Sequence, residues 1–425
     1  MDVLTIPYWQ DGGLRADLPP LSPPARADVL IVGAGYTGLS AARETAAAGA
    51  DTWVLEAGAL GTGCSGRNGG QVAYSIKPTH GELSSLYGEE RASAICREGH
   101  DAVTYLRSLA AEPDVDIDWR EQGCFYGAHT PRHFDAMVRD AQNQPSGLEQ
   151  RISIVPRADQ RQEIDSDFYH GGCVYHDDAS VDPMRLLLAL LKRARDAGAS
   201  VVDHCPALSI ERRGDSFEVR TPHGSISAGK VLIATNGYSG PLSPWLRRRV
   251  IPIGSYQIAT RPLGFDRVRR LIPQARNVVD SRRVVVYLRP SPDGERIIFG
   301  GRAALSEKDP RACVPRLRAM MTRILPQLKA APIEYAWAGW VAYTFDKLPH
   351  LGMHEGVHYC MGYCGQGVPL APYLGRRVGQ QMMNIEEGRT AFDGLPFPTR
   401  PYYFGNPWFL APSVFAYRTL DAAGV

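Results

Sequence analysis

A glycine pattern near the N-terminus constrains the fold of this chain more than any other feature. Gly33, Gly35 and Gly38 have the spacing G-x-G-x-x-G, directly after a short apolar run that begins at Ala27. The run is rich in β-branched residues and predicts a buried parallel strand. The alanine-rich stretch 39–50 that follows predicts a helix. A strand, a glycine turn and a helix in this order are typical of phosphate-binding α/β units.

Each glycine of the pattern has a physical role in binding a pyrophosphate. Gly33 permits a tight turn, Gly35 lets the phosphates approach the helix N-terminus, and Gly38 lets the helix pack closely on the strand. A second strand is expected over Asp51–Glu56, and Glu56 at its end is placed to accept hydrogen bonds from ribose hydroxyls. The unit predicts a dinucleotide cofactor, but it does not distinguish NAD from FAD.

A second glycine-rich run, GTGCSGRNGG at residues 61–70, has five glycines in ten residues. It is either a flexible linker or a backbone cradle for a ligand. Because it lies a few residues after Glu56, between the dinucleotide motif and the body of the fold, we interpret it as a cradle. Arg67 and Asn68 would then be the polar groups that hold the pyrophosphate and the flavin. This interpretation favours FAD over NAD.

Later elements of the same type recur in separate parts of the chain. A helix is expected over Pro183–Ala197, a buried strand over Lys230–Thr235, and a strand at 357–362 that leads through a glycine turn into a helix. The later strand and the later helix N-terminus each have an ordinary structural alternative. Between them, the strands 283–289 and 296–300 flank the turn Pro292-Asp-Gly-Glu295 and predict a hairpin.

The length of 425 residues exceeds one hydrophobic core of ordinary size, so we expect two domains. The predicted fold class is α/β (α+β overall), with a discontinuous Rossmann-like FAD-binding domain and a sheet-rich substrate domain. The FAD-binding domain would take residues 1–84, 151–249 and 331–395, the substrate domain 85–150 and 250–330, and a C-terminal segment 396–425.

Composition excludes several classes of partner. The 47 basic and 45 acidic residues nearly balance, which gives no reason to expect a nucleic-acid or anionic membrane surface. We expect no signal peptide, because the N-terminal stretch has no basic start followed by an apolar core. We expect no membrane span, because no apolar run of about 18 residues occurs. The eight cysteines are scattered without metal-type spacing, so we expect no metal site. Dispersed thiols are typical of a cytoplasmic protein.

Five segments, in this order, resemble the D-amino-acid oxidase-like FAD oxidoreductases, a family that includes glycine and sarcosine oxidases. They are ADVLIVGAGYTGLSAARETAAAGADTWVLEAGALGTGCSGRNGGQV, KVLIATNGY, VVVYLRPSPDGERIIFGGR, YAWAGWVAYTFDKLPHLG and MGYCGQGV. Within the family, SGRNGGQ and the terminal GNPWFLAPSVFAYRTLD resemble the γ-glutamylputrescine oxidoreductase branch. The resemblance runs from about Pro7 to the end and implies the glycine/sarcosine oxidase fold.

The resemblance also implies a set of FAD-binding residues. The first glycine turn would hold the pyrophosphate, Glu56 the ribose, the backbone at Ala207 the adenine, and the turn at 365–368 the pyrimidine end of the flavin. The full set is Gly33, Gly35, Tyr36, Thr37, Gly38, Glu56, Ala57, Ser65, Gly66, Arg67, Asn68, Gly69, Gly70, Gln71, Ala207, Asn236, Gly339, Gly365, Gln366, Gly367 and Val368.

Two departures from the family pattern bear on the substrate and on the flavin. Val341 stands where glycine oxidase-like relatives place an arginine for the substrate α-carboxylate and sarcosine oxidase-like relatives a flavin-linked cysteine. An apolar side chain cannot pair with a carboxylate, so a simple α-amino acid substrate is disfavoured. A valine also cannot bond covalently to a flavin, so FAD is expected to be non-covalent. Cys64 and Cys364 near the flavin leave its covalent attachment open. Gln366 replaces the histidine usual in the branch and offers only a neutral hydrogen bond.

The family implies oxidation of an amine, here a polyamine or γ-glutamyl-polyamine, to an imine that hydrolyses to an aldehyde, with O2 reduced to H2O2. The expected substrate-side residues are Tyr256, Tyr287, Arg289, Trp340, Tyr343 and Gln366, with Trp337 as a further candidate. Core or surface positions are the alternative for each. Arg289 or Arg302 would suit a carboxylate on a longer substrate.

Three other functions remain open from the sequence. The same fold serves dehydrogenases that pass electrons to a quinone or a carrier protein. A flavin-binding protein without turnover and an NAD-dependent dehydrogenase are the other two. Peroxide formation in air-saturated buffer would separate an oxidase from the first of these. Anaerobic bleaching of the flavin by an amine would exclude the second, and a colourless purified protein would favour the third.

Overall fold

The computed structural model describes residues 2–14, 18, 21–302 and 308–423. Its strands, numbered along the chain, are β1 Arg26–Val32, β2 Thr52–Leu55, β3 Gln71–Val72, β4 Cys124–Gly127, β5 Ile152–Val155, β6 Gly172–Tyr175, β7 Ala179–Ser180, β8 Ser200–Val202, β9 Ser209–Arg213, β10 Ser216–Thr221, β11 Gly224–Ile233, β12 Ile251–Thr260, β13 Asn277–Asp280, β14 Val286–Pro290, β15 Ile297–Gly301, β16 Ile333–Tyr343, β17 His350–His354 and β18 Val357–Met361.

The α-helices of the described residues are α1 Tyr36–Ala47, α2 His80–Tyr87, α3 Glu89–Ala110, α4 Pro131–Gln142, α5 Pro183–Asp196, α6 Pro244–Arg247, α7 Phe265–Leu271, α8 Pro310–Ile324, α9 Gly367–Met382 and α10 Leu410–Ala423. In this part of the chain, no helix combines the length and the apolar character needed to cross a bilayer.

The first large sheet confirms the Rossmann-like unit expected from the N-terminal glycine pattern. Its strand order is β17-β18-β11-β1-β2-β8, and β1 pairs in parallel with both β11 and β2. Leu30 and Ile31 at the centre of β1 are fully buried, as a strand covered on both faces requires. The segments that form this sheet come from three separated parts of the chain.

Helix α9 packs directly across α1 and joins the C-terminal part of the chain to the first glycine turn. Two glycines one helical turn apart, Gly375 and Gly379, make this contact possible. A Cβ on Gly375 would lie 2.4 Å from the Thr37 carbonyl oxygen, and one on Gly379 would lie 2.8 Å from that of Ala41. The close approach holds the turn that precedes α9 over the same cavity that the first glycine turn opens onto.

The second large sheet has the order β16-β12-β15-β14-β13-β4-β6-β5. The hairpin expected around the Pro292–Glu295 turn is confirmed as the antiparallel pair β14–β15. One face of the sheet packs on α8 and forms a separate core around Ile258, Phe299 and Leu317. The other face is free to line a cavity.

The strands of the second sheet do not follow the domain boundaries proposed from the sequence. Strands β5 and β6 lie within 151–249, and β16 lies within 331–395, yet all three belong to the second sheet. β16 pairs with β12 from Ile251↔Tyr343 to Thr260↔Ile333. Because such pairing joins residues about eighty positions apart, composition along the chain does not reveal it.

Replacing Gly375 by alanine is expected to lower the free energy of unfolding by about 1–3 kcal/mol, because the new methyl group overpacks the α1–α9 contact. Urea denaturation followed by circular dichroism measures the change. Gly81→Ala in α2 is the matched control, since a Cβ there meets nothing within 4 Å, and its unfolding should be unchanged or slightly stabilised. Equal stability of the Gly375 variant and the wild type would contradict the close contact.

Candidate functional site

Two adjoining cavities lie between the large sheets. The first has a volume of about 510 Å³ and opens at the carboxyl ends of β1, β2 and β11, where ligands bind in open α/β sheets. The second has a volume of about 300 Å³ and lies between the second sheet and residues 64–77. Six residues line both cavities: Cys64, Asn68, Val341, Cys364, Gly365 and Val368. We call this shared lining the junction.

The first glycine turn has the shape of a pyrophosphate cradle. Gly33 has φ +104°, which favours glycine, and a Cβ there would lie 3.0 Å from the Ala234 carbonyl oxygen. A Cβ on Gly38 would lie 1.9 Å from the Gly33 carbonyl oxygen, so the helix can pack this closely only without a side chain. The turn and the start of α1, residues 33–37, line the first cavity.

Glu56 stands at the end of β2 in a fixed orientation. Its Oε2 accepts a hydrogen bond from the Ala34 N–H at 2.9 Å, and its Oε1 accepts one from the Ala57 N–H at 2.9 Å. Burial raises the pKa of this carboxyl, while the backbone donors, Gly58 among them, offset part of that rise. The carboxyl thus borders the first cavity beside the glycine turn, as a ribose-binding acid must.

The glycine-rich run 61–70 is a hydrogen-bonded cradle and not a flexible linker. The Asn68 Nδ2 donates to the Tyr36 hydroxyl at 3.1 Å and to the backbone oxygens of Cys64 and Ser65. Its Oδ1 accepts a hydrogen bond from the Gly70 N–H at 2.8 Å. One amide side chain therefore ties the run to itself and to α1.

Arg67 connects the cradle to the second sheet. Its backbone oxygen accepts hydrogen bonds from Gln257 Nε2 at 2.7 Å and from Trp337 Nε1 at 2.9 Å. Its guanidinium donates to the Ala338 oxygen at 3.2 Å. β12 and β16 are thereby held against the cradle, and the junction lies between them.

Most residues implied in FAD binding line one of the two cavities. The first cavity is lined by Gly33, Gly35, Tyr36, Thr37, Glu56, Ala57, Ser65, Asn68, Ala207, Asn236, Gly365, Gly367 and Val368. The second is lined by Arg67, Gly69, Gln71, Gly339 and Gln366. Gly38, Gly66 and Gly70 line neither, because each packs against a backbone carbonyl.

Three of the six expected substrate-side residues line the second cavity: Tyr287, Tyr343 and Gln366. The Tyr287 hydroxyl lies 3.0 Å from Ser255 Oγ, and the Gln366 Nε2 donates to Ser75 Oγ at 2.6 Å. Both side chains are therefore held in place at the cavity wall.

Tyr256, Trp340 and Trp337 do not line either cavity. Strand residues alternate between faces, and in β12 it is Ser255 and Gln257 that face the second cavity. Tyr256 points to the opposite core, where its hydroxyl accepts a hydrogen bond from the Lys308 N–H at 3.0 Å. Trp340 lies on the same opposite face of β16, next to Val341. Trp337 is fully buried against the cradle.

Arg289 is also outside both cavities, which does not support a carboxylate-binding role. It is only 2% exposed, and its Nη1 donates to the Val181 oxygen at 2.9 Å. Burial lowers its pKa to about 10. Arg302 does line the second cavity, with its guanidinium 5.1 Å from the Tyr343 ring centroid.

Several polar residues of the second cavity escaped the sequence analysis. They are Lys77, Tyr126, Asp178, Ser255, Gln257, Asn277 and Asp280. Asp178 follows β6 in a loop that carries no motif, and burial raises its pKa to about 7. Gln257 could have been found from the sequence, because a polar residue among the apolar residues of β12 indicates a strand face that does not pack into the core.

The two cysteines of the junction are protonated thiols. Burial raises the pKa of Cys64 to about 11 and that of Cys364 to about 11. All eight cysteines lie in the described part of the chain, and none forms a disulfide. A thiol with so high a pKa is a poor nucleophile.

Comparison with known proteins gives a consistent result. Residues 28–381 match the family model described as FAD dependent oxidoreductase. The chain is 34% identical to a probable oxidoreductase OrdL of Rhizobium meliloti (strain 1021), over 90% of this chain and 89% of that protein. It is 30% identical to gamma-glutamylputrescine oxidoreductase of Escherichia coli (strain K12), over 87% of this chain and 86% of that protein.

Among solved structures, glycine oxidase from Geobacillus kaustophilus superposes with a TM-score of 0.73. The alignment covers 89% of this chain and all of that chain at 20% sequence identity, which shows a shared fold.

The residues of the site fit FAD. The first cavity offers a glycine turn that a Cβ would fill, a helix N-terminus and a fixed acid at the strand end, which suit a pyrophosphate and a ribose. The junction connects this cavity to the second one. The flavin ring of FAD could therefore lie at the junction, with the pyrophosphate and ribose in the first cavity and the substrate in the second.

Glu56→Ala is expected to weaken FAD binding at least tenfold, because it removes the acid beside the ribose position. Quenching of FAD fluorescence on titration with apoprotein measures the dissociation constant. Glu211→Ala is the control, since Glu211 forms a surface pair with Arg213 in β9, away from both cavities. An unchanged dissociation constant in the Glu56 variant would contradict its role.

Proposed function

Because the chain belongs to the family of FAD-dependent oxidoreductases, we propose that it is an amine oxidase. Its substrate would be a primary or secondary amine of the polyamine or γ-glutamyl-polyamine type. The C–N bond is oxidised to an imine, which water hydrolyses to an aldehyde and an amine or ammonia. O2 is reduced to H2O2.

The observation that carries this proposal is Val341 at the junction. Its side chain borders both cavities, so the position nearest the expected flavin is apolar. A small α-amino acid would place its carboxylate there without a counterion, at a large desolvation cost. Similarity to gamma-glutamylputrescine oxidoreductase supports the alternative, an amine with no carboxylate beside the reacting carbon.

The chain's own residues would bind the amine and exclude water. When bound, FAD accepts a hydride equivalent from the carbon next to the amine nitrogen. Tyr287, Tyr343 and Val341 form an aromatic and apolar wall there. Such a wall favours the neutral amine, which is the form that reacts, because removal from water disfavours the ammonium. Gln366, fixed by Ser75, offers a neutral hydrogen bond.

Non-covalent FAD is part of the proposal. Val341 cannot bond to a flavin, and the raised pKa values of Cys64 and Cys364 keep both thiols protonated. Eight unpaired cysteines also suit the reducing cytoplasm, which we propose as the location.

The second candidate is a dehydrogenase that uses the same site and passes electrons to a quinone or a carrier protein. Its substrate and its residues would be the same, and only the electron acceptor differs.

An amine panel tests the proposed function. Polyamines and γ-glutamyl-polyamines should bleach the flavin absorbance anaerobically, whereas glycine and D-alanine should not do so at comparable rates, because of Val341. In air-saturated buffer, stoichiometric H2O2 would support the oxidase, and its absence would support the dehydrogenase. Fast reduction by glycine would overturn the argument from Val341.

Arg302→Ala is expected to raise the KM for a γ-glutamyl-polyamine about tenfold, because Arg302 lines the second cavity and would pair there with the glutamyl carboxylate. The KM for the matching polyamine, which has no carboxylate, should change little. Steady-state kinetics with this substrate pair measure the difference. An equal rise for both substrates would show that Arg302 acts on the cavity in general.

A further inference from the structure

The end of the second cavity that is formed by Asp178 and Asn277 has no part in the chemistry described above. We propose that it is a binding subsite for a second, positively charged nitrogen of the substrate, distant from the nitrogen that is oxidised. This inference rests on the proposed function and specifies its substrate class as long amines with two charges.

Asn277 provides a hydrogen-bond acceptor that has no partner. The residue is 1% exposed and lines the second cavity from β13. Its Nδ2 donates to the Ala179 oxygen at 2.9 Å. This bond fixes the orientation of the amide, because the reverse orientation would place Oδ1 against the Ala179 oxygen. Its Oδ1 is buried without a hydrogen bond. A buried acceptor in this state requires a donor from a ligand or solvent.

Asp178 provides a carboxyl beside this acceptor, at the residue before Ala179. It is 2% exposed, and its Oδ1 accepts a hydrogen bond from the Tyr74 N–H at 3.3 Å. The neighbouring Asp177 pairs with Arg151 at 2.6 Å, but no ion pair to Asp178 is found in the described part of the chain. Burial raises its pKa to about 7, since no nearby cation compensates the loss of solvation.

An ammonium group matches this pair of acceptors. It supplies three donors and a positive charge, so it can satisfy Asn277 Oδ1 and neutralise the Asp178 carboxylate together. An anionic group would be repelled by the carboxylate. Arg302, which lines the same cavity, lies against Tyr343 of β16, four strands away from β13 in the sheet.

Strand pairing sets the length of the substrate. Gln257, Gly300, Tyr287 and Val279 pair in one row across β12, β15, β14 and β13. Three strand spacings separate the first from the last, which is about 14 Å. Asn277 lies two residues from Val279 on β13. At roughly 1.2 Å per bond of an extended chain, the nine bonds between the nitrogens of 1,8-diaminooctane span about 11 Å, and a hydrogen bond of about 2.9 Å from the distant ammonium brings the reach to about 14 Å. The five bonds of a four-carbon diamine span only about 6 Å, which is too short.

Gly300 keeps this path open. A Cβ there would lie 2.1 Å from the Tyr287 ring, so the ring leans across β15 and its hydroxyl meets Ser255 on β12. The floor of the path is thus an aromatic ring, which suits the methylene chain of a long amine.

Matched amines test the subsite with the holoenzyme. We expect 1,8-diaminooctane to bind at least tenfold more tightly than octylamine, whereas 1,4-diaminobutane should gain nothing over butylamine. Anaerobic calorimetric titration of the holoenzyme with its flavin chemically reduced beforehand gives the dissociation constants without turnover, and the KM ratio gives the same comparison during turnover. Equal affinity of octylamine and 1,8-diaminooctane would overturn the proposal.

Asp178→Asn should abolish the preference for 1,8-diaminooctane, because the isosteric amide keeps the hydrogen bond from Tyr74 and loses the charge. Asp177→Asn is the matched control: Asp177 does not line the cavity and should leave the preference intact. If the Asp178 variant does not fold, Asn277→Ala offers a second test, since loss of the buried acceptor should weaken binding of the diamine and leave that of octylamine unchanged. A retained preference in Asp178→Asn would contradict the role of Asp178.

The pH dependence gives a measurement on the wild type. The ionised form of Asp178 binds the ammonium, and its pKa is raised to about 7, so the diamine affinity should fall as the pH drops through that value. The other titratable groups that face it are Asp177, Cys124, Tyr126 and Tyr175. The pKa values of Cys124, Tyr126 and Tyr175 are raised by burial, so these groups stay protonated. Octylamine should show no such dependence.

Failure of the subsite and failure of the proposed function are distinguishable. Reduction of the flavin by octylamine and by 1,8-diaminooctane with equal KM would leave the amine oxidase standing and remove the subsite. Tight diamine binding without flavin reduction would leave the subsite and remove the oxidase.

Discussion

The contacts of Arg67 and Asn68 hold the functional part of the molecule together. The Arg67 carbonyl accepts hydrogen bonds from Gln257 and Trp337 of the second sheet, and the Asn68 amide ties the same segment to Tyr36 at the start of α1. Both cavities border this segment, so the hydrogen bonds that fix the segment also fix the position of one cavity relative to the other. A sequence of small residues is needed here, because two sheets and a cofactor approach the same stretch of backbone.

In the second sheet, alternate residues of each strand face opposite sides, so one face lines the cavity and the other packs into the core. Gln257 and Tyr287 face the cavity, whereas Tyr256, between Ser255 and Gln257, packs into the core against α8. The cavity face carries an apolar wall at Val341 and unsatisfied or charged acceptors at Asn277 and Asp178. The substrate that we propose, a long molecule with a neutral reacting amine and a distant ammonium, would satisfy both ends. On this proposal, a small amino acid would place its carboxylate against the apolar residue at the junction, without a counterion.

Much of the fold was predictable, because its signals are local. The strand, glycine turn, helix and terminal acid of the N-terminal unit occupy one short stretch, and the β14–β15 hairpin follows from the turn chemistry of Pro292–Glu295. The substrate side was predicted less well. Tyr287, Tyr343 and Gln366 line the cavity, but Tyr256, Trp340 and Arg289 do not. Aromatic and basic residues indicate a binding site only when the face on which they lie is known.

The sequence by itself determined the dinucleotide unit, the family and the apolar residue at 341, because each depends on residue identity at fixed spacing. Only the tertiary structure decided which side of each strand faces the cavity and which side chains meet there. Arg289 hydrogen-bonds to the backbone oxygen of Val181, and Asn277 faces the loop of Asp178, in contacts between residues about one hundred positions apart. Such contacts depend on sheet register and strand order, which are set when the whole chain packs.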